Sequence, residues 1–293
     1  MRLGALEAGG TKMVCAIGDE QGNVFERESY PTLEPENTIP KIIEFFRERP
    51  VEALGIGSFG PLDLNPDSPT FGNITTTPKP GWRDYPLRGA LQEALKVPVG
   101  IDTDVNAAAF SEAVLGAGKG LNYLVYYTIG TGVGGGAYLN GKLLHGMVHP
   151  EMGHVLLRPD PRDPTPRGFC PYHDGCLEGM ACGTAIEKRW GKSAKVLPVD
   201  DVAWDVEAEY LAQMCVSTIL TLSPEKIVLG GGVMHQLHLF PKIRKLTLEK
   251  LNGYVAHPAI LDNIETYIVP PALGDNAGAA GSLLLALEAL KSA

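Results

Sequence analysis

The chain has 293 residues, of which 44% are hydrophobic, so it can bury one large core or two medium ones. Its formal net charge of −9 argues against non-specific binding to nucleic acid or to anionic membranes. The five cysteines are odd in number, and Cys15 and Cys215 lie in apolar runs, so they do not form a disulfide framework. No apolar segment precedes Glu7 and no run of 18 apolar residues occurs, so neither a signal peptide nor a membrane span is expected. The expected compartment is the cytoplasm.

In chain order, residues 3–7 and 13–17 read as strands around the turn Ala8-Gly9-Gly10-Thr11-Lys12, and a third strand follows near 23–30. Glycines let backbone N–H groups approach a ligand, and Thr11 and Lys12 add a hydroxyl and a cation suited to phosphate oxygens. A plain hairpin turn is the competing reading. A helix over 37–47 and a buried strand over 52–57 come next. Residues 61–85, rich in Pro, Thr, Asn and Gly, read as a long binding loop with Asn73, Thr75 and Thr77 as candidate partners of sugar hydroxyls. Residues 97–101 form a strand that runs into Asp102-Thr103-Asp104 and a helix over 105–116. Asp and Thr there are ordinary helix caps, unless one carboxylate faces a cleft.

The opening pattern then recurs. Residues 123–129 are a strand, Gly130 to Gly136 a Gly-rich turn, 137–139 a strand, and Asn140-Gly141 a type I′ hairpin signal. Strand, Gly/Thr turn, strand and tight turn thus occur twice, about 120 residues apart, which points to two related domains. Gly130, Gly132 and Gly135 match the dinucleotide fingerprint, but a hairpin follows where that fingerprint needs a helix. Gly191-Lys192-Ser193 lacks the earlier glycine of a P-loop. Further on, helices are expected over 184–191, 201–222 and 238–251, a buried strand over 226–229 before Gly230-Gly231-Gly232-Val233-Met234, a strand over 266–269, and a last helix to about 291.

Residues 149–183 hold three of the five cysteines and three of the seven histidines. Cys170, His173 and Cys176 lie at three-residue spacing, and His154 stands 16 residues upstream across a Pro- and Arg-rich loop. Two thiolates and two imidazoles favour tetrahedral zinc, with no open position and hence a structural role. Cys182 is a spare candidate.

Three Gly-rich turns, at 9–12, 130–136 and 230–234, each follow a strand. The first two suit a triphosphate and the third an adenosine. Asp104, between the two hairpins in sequence, suits the base that takes a proton from an alcohol during phosphoryl transfer, with Mg2+ bridging the phosphates.

Glu7-Ala8-Gly9-Gly10-Thr11-Lys12, Asp102-Thr103-Asp104-Val105-Asn106, Ile129-Gly130-Thr131-Gly132-Val133-Gly134, His149-Pro150-Glu151-Met152-Gly153-His154 and Cys176-Leu177-Glu178-Gly179 resemble the ROK family of sugar kinases. The variant with Cys170-Pro171-Tyr172-His173 is most similar to the family's zinc-containing bacterial fructokinases. The resemblance implies an α/β, actin-like ATPase fold: duplicated ribonuclease-H-like domains with an interdomain cleft and a zinc-binding insertion. It implies a first domain over 1–115, a second over 116–277 containing 149–183, and a final helix at about 278–291 packing back on the first.

It further implies ATP- and Mg2+-dependent phosphorylation of the 6-hydroxyl of a hexose, D-fructose foremost, with mannose or glucose as alternatives. Asp104 would be the base. Thr103, Glu151, His154 and Glu178 would accompany it at the sugar. Gly9, Gly10, Thr11, Lys12, Gly130, Thr131, Gly132 and Gly134 would bind phosphates, and Gly230, Gly231, Gly232, Val233 and Met234 the adenosine. His154, Cys170, His173 and Cys176 would hold zinc. A homodimer is implied by the family alone. Glu7, Thr103 and His173 depart from the wider family and shift the expected sugar rather than the activity; Thr184 also departs, where many members carry Pro. The family's sugar-sensing repressors carry an N-terminal helix-turn-helix, for which a first strand at Leu3 leaves no room.

Overall fold

A computed structural model describes all residues, Met1–Ala293. The chain divides into two compact units. Unit 1 comprises Met1–Gly116, Leu143–Pro150 and Asp275–Ala293; unit 2 comprises Ala117–Lys142 and Glu151–Gly274. Residues 143–150 therefore belong with the first unit, not with the second as a single boundary near 116 requires.

Unit 1 opens with β1 (Leu3–Ala8), β2 (Lys12–Gly18) and β3 (Val24–Pro31), followed by α1 (Pro35–Glu48), β4 (Ala53–Ser58), α2 (Leu87–Leu95), β5 (Val99–Thr103) and α3 (Asp104–Val114). Its sheet runs β3-β2-β1-β4-β5. The first three strands form an antiparallel meander, and β4 and β5 continue parallel to β1. β1 and β4 are buried along nearly their whole length, which is why they read as continuous apolar runs rather than alternating ones.

Unit 2 repeats the plan. Its elements are β6 (Tyr123–Ile129), β7 (Val133–Leu139), β8 (Lys142–Leu143), α4 (Leu177–Ala181), α5 (Gly183–Trp190), α6 (Ala203–Leu222), β9 (Lys226–Gly230), α7 (Leu239–Leu251), α8 (Pro258–Leu261), α9 (Ile264–Tyr267) and β10 (Ile268–Val269). The sheet order is β10-β9-β6-β7-β8, the first unit's order in mirror listing, with β6 antiparallel to β7 and parallel to β9. The last helix, α10 (Ala277–Lys291), returns to unit 1.

Small residues decide where α10 lies. A Cβ on Gly55 of β4 would collide with the Ser282 carbonyl, and one on Gly281 with the Ala107 carbonyl of α3. The helix thus sits against β1, β4 and α3, and Leu283 and Ala286 join Leu3, Ala5 and Ala53 in a small core. On the same sheet a larger core gathers Leu6, Met13, Ile42, Phe46, Ile56, Ile74 and Trp82. No helix is long and apolar enough to cross a membrane.

Three local expectations differ from what forms, and one helix had none. The Gly-rich turn after β6 is only 130–132, because Gly134, Gly135 and Gly136 pair within β7 to Thr128, Tyr127 and Tyr126. Gly135 is small because a Cβ there would meet Met152 at 2.8 Å and the Tyr127 ring at 2.9 Å, a close backbone approach inside a strand. The strand expected at 97–101 runs two residues later, so Asp102 and Thr103 lie in the sheet. The strand expected at 266–269 is confined to Ile268–Val269, and α9 takes the residues before it. Helix α2 had no sequence reading; it buries only Leu87 and Leu91 on a short amphipathic face.

Candidate functional site

In unit 1 the turn between β1 and β2 is closed by Gly9 N donating to the Lys12 carbonyl at 3.0 Å, and a Cβ on Gly9 would meet that oxygen at 2.7 Å. Thr32 holds it from β3's end, its hydroxyl donating to the Gly9 carbonyl at 2.8 Å and its N–H to the Thr11 carbonyl at 3.0 Å. Thr11 and Lys12 stay exposed at the tip. Lys79, from the 61–85 loop, donates its ammonium to the Gly10 carbonyl. Within that loop, the Thr75 hydroxyl is engaged by the Pro61 carbonyl at 3.1 Å and Thr77 is buried.

At the end of β5 the cap of α3 is Thr103, whose hydroxyl accepts from Asn106 N at 3.1 Å. That separates the two roles that sequence left open. Thr103 serves the helix, while Asp104 is its first residue, with an exposed carboxylate that accepts from Val105 N at 2.8 Å. The helix's N-terminal dipole favours the ionised form of such a group. Glu7 lies within electrostatic reach of Asp104; burial raises its pKa, and Arg27 and Lys12 oppose that.

Asp102 points the other way and is buried. One of its oxygens accepts from Thr103 N at 2.8 Å and Asn106 Nδ2 at 2.7 Å, and the other meets His145 Nε2 at 2.8 Å. The hydrogen bond to Asp102 raises the His145 pKa above its ordinary value, against the opposing effect of burial. His149, on the same segment, accepts from Leu62 N through Nε2 at 3.3 Å. Sequence reading missed His145; its signal is the row of histidines at 145, 149 and 154.

In unit 2 the turn Gly130–Gly132 is closed by Gly130 N to the Gly132 carbonyl at 2.9 Å. The start of α5 covers it, with Gly183 N donating to the Gly130 carbonyl at 2.7 Å and the Thr184 hydroxyl to the Thr131 carbonyl at 2.9 Å. Thr184, which had no reading beyond its departure from Pro, thus fastens the turn. Glu178 of α4 reaches the same turn: its Oε2 accepts from Val133 N at 3.0 Å and fills the place a Gly132 side chain would need. After β9, Gly231 has φ +88°, and a Cβ there would lie 2.6 Å from the Ile129 N and O atoms. Gly232 to His235 form a 3-10 turn in which Val233 and Met234 are buried.

His154, Cys170, His173 and Cys176 converge, one donor atom from each lying within 4.8 Å of all the others. Nδ1 of His154 is 3.6 Å from the Cys176 Sγ and 3.9 Å from the Cys170 Sγ, and Nδ1 of His173 is 3.6 Å from the Cys170 Sγ. Metal bonds of about 2.1 Å to nitrogen and 2.3 Å to sulfur give tetrahedral edges of roughly 3.4–3.8 Å, so the donor set fits a metal ion. Cys182 is not part of the cluster; its sulfur caps α5, accepting from Ala185 N at 3.3 Å. His154 turns its other nitrogen, Nε2, toward Glu178 Oε1 at 3.9 Å. Glu151 begins the short 3-10 segment ending at His154, its carbonyl accepting from His154 N at 3.0 Å.

The cluster stands on a buried base. Arg189 of α5 donates to Asp163 at 2.8 Å and to the Met180 carbonyl at 2.7 Å, and the Tyr210 hydroxyl donates to Asp163 at 2.6 Å. Asp163 and Arg189 side chains are 0% and 1% exposed, so the Pro- and Arg-rich loop is anchored by a dry ion pair rather than by surface charges.

Two sheets of one order, each opening with a hairpin closed by a Gly/Thr turn, define the actin-like ATPase class. The ROK family model matches residues 3–289, and the chain belongs to the ROK family. It is 48% identical to a fructokinase of Pediococcus pentosaceus over the whole of both chains. It is 44% identical to a fructokinase of Lactococcus lactis subsp. cremoris, covering 94% of this chain and 93% of that one. Among solved structures it resembles a ROK hexokinase from Thermus thermophilus, with 29% identity, a TM-score of 0.80 and full coverage of both chains.

Proposed function

We propose that the chain transfers the γ-phosphoryl group of ATP to the 6-hydroxyl of D-fructose, giving fructose 6-phosphate. The observation that carries this reading is the exposed Asp104 carboxylate at the start of α3, with the helix capped by Thr103 instead. Relatives named fructokinase, 48% and 44% identical, supply the sugar.

In this mechanism Asp104 takes the hydroxyl proton as that oxygen attacks the γ-phosphorus. The bond from γ-phosphorus to the β–γ bridging oxygen breaks, and ADP leaves with its electron pair. The turn Gly9 to Lys12 and the segment Gly130 to Gly134 bind the phosphates, and Gly230 to Met234 the adenosine. Glu151, Glu178 and the Nε2 side of His154 orient the sugar hydroxyls, and Thr103 holds the start of α3 that presents Asp104. Mg2+ accompanies the nucleotide and neutralises phosphate charge.

The metal of the Cys/His cluster is zinc on this reading. His154, Cys170, His173 and Cys176 would hold it, and it would fix His154 and Cys176, and through them Glu151 and Glu178, rather than polarise substrate. The enzyme works in the cytoplasm as a homodimer.

The test is a coupled assay of the purified protein with MgATP and fructose, mannose or glucose in competition, repeated on Asp104→Asn. Preference for fructose and a loss of kcat of at least about a thousandfold in the variant are expected. A preference for glucose would overturn the substrate, and near-normal turnover by Asp104→Asn would overturn the base.

A further inference from the structure

We infer that Lys79 is a catalytic cation of the phosphoryl transfer, delivered by the 61–85 loop to the Gly9–Lys12 turn; this rests on the kinase reading above. The backbone that carries it is fixed from several sides. Lys79-Pro80-Gly81-Trp82 is a tight turn closed by Trp82 N donating to the Lys79 carbonyl at 3.2 Å, with Pro80 in its second place and Gly81 at φ +75° in its third. That is the pattern of a type II turn, which needs glycine there. Trp82 anchors the turn: it is 1% exposed, its indole N–H donates to the Leu33 carbonyl at 2.7 Å, and it stacks edge-on against Phe59 and Tyr85 at 5.8 and 5.3 Å. Thr77 accepts from Lys79 N at 3.4 Å.

From this anchored turn the four-carbon arm of Lys79 reaches toward Gly10. It passes along the Phe59 ring, with Nζ 5.6 Å from the centroid, and its Cε would stand 3.3 Å from a Cβ on Gly10. Its ammonium donates to the Gly10 carbonyl. A single carbonyl uses one of an ammonium's three N–H groups, and Lys79 is only half-buried, so the others can meet oxygens brought to the turn. The carbonyl itself matters as well. A phosphate brought to this turn meets N–H groups that attract it and the Gly10 oxygen that repels it. A cation seated on that oxygen cancels the repulsion and adds a charge-assisted donor beside the γ-phosphoryl group. Charge on that group's oxygens must be stabilised while the bond to ADP breaks, and a preformed cation does this without reorganisation. The hydroxyl proton still goes to Asp104.

A loop staple would use the same contacts, so the test must separate the two. Wild type, Lys79→Met, Lys79→Ala and Lys79→Arg are compared for kcat, KM for fructose and ATP, affinity for AMPPNP, affinity for ADP with aluminium fluoride and fructose, and Tm. The inference expects Lys79→Met to lose on the order of a hundredfold in kcat and in affinity for the aluminium fluoride complex. KM for fructose, AMPPNP affinity and Tm should change little, Lys79→Arg should retain part of the activity, and added methylammonium should restore turnover to Lys79→Ala. A raised fructose KM at unchanged kcat, or a drop in Tm with parallel loss of AMPPNP and aluminium fluoride affinity, would overturn it. Wild-type activity on the hexoses is read in the same assay. A wild type that phosphorylates no hexose defeats the kinase reading, whereas an active wild type with fully active Lys79 variants defeats this inference alone.

Discussion

Gly132 shows how one missing side chain couples two parts of unit 2. Glu178 Oε2 sits where a Cβ on Gly132 would be, 2.6 Å from it, and accepts from the next residue's N–H. An alanine there forces the carboxylate away, leaving Val133 N without its acceptor, a loss of about 1–3 kcal/mol for a buried donor. On the functional reading the same carboxylate orients the sugar. Gly132→Ala is therefore expected to lower Tm by a few degrees and kcat/KM for fructose by more than tenfold. The double variant Gly132→Ala/Glu178→Ala removes the clash, so thermal melts should find it no less stable than Glu178→Ala alone. Additive losses would mean that the carboxylate and the turn do not share this space.

At the scale of elements, the segment 143–150 belongs to unit 1 although it follows the hairpin of unit 2, and His145 on Asp102 is one of the contacts that hold it there. The Asp102 carboxylate raises the histidine's folded pKa above the ordinary 6.5. The stabilisation this adds is fully present below 6.5 and is lost as pH rises through the higher folded value. The Tm difference between wild type and His145→Gln should therefore be largest near pH 6 and shrink in alkaline buffer. A difference that is flat with pH, or that grows as pH rises, would show that the pair is not an ion pair.

This contact also marks the limit of sequence reading. The four cysteine and histidine donors were legible because they fall within 23 residues and carry a metal's chemistry in their types. The two meanders were legible because Gly/Thr turns punctuate both. His145 and Lys79 were not, since their partners lie 43 and 69 residues away and nothing local in either pairing announces it. The Gly134 to Gly136 run was read as a turn because the neighbours that Gly135 makes room for, Met152 and the Tyr127 ring of the paired strand, do not show in the local sequence.

For the molecule as a whole, the duplicated sheets give each unit its own hydrophobic core, yet the metal cluster links segments that no strand pairing of unit 2's main sheet holds. His154 precedes the Pro- and Arg-rich loop and Cys170, His173 and Cys176 follow it, so a bound ion would close that loop, alongside the isolated bridge between Leu156 and Cys176 and the Arg189–Asp163 pair. Burial pushes the Cys176 thiol up to about 11, so a metal ion bound there would have to displace that proton. Dialysis against a strong chelator should then loosen Glu178 and with it the Gly130–Gly132 turn. A loss of roughly 3 kcal/mol would lower Tm by about 6–12 °C for a unit of this size. Calorimetry with and without restored zinc, paired with fructose binding measured in the same samples, checks this, and both quantities should fall and recover together. If chelation abolished turnover while Tm and fructose affinity stayed put, the ion would be acting on the substrate, and the closed four-ligand shell would have to open during the reaction.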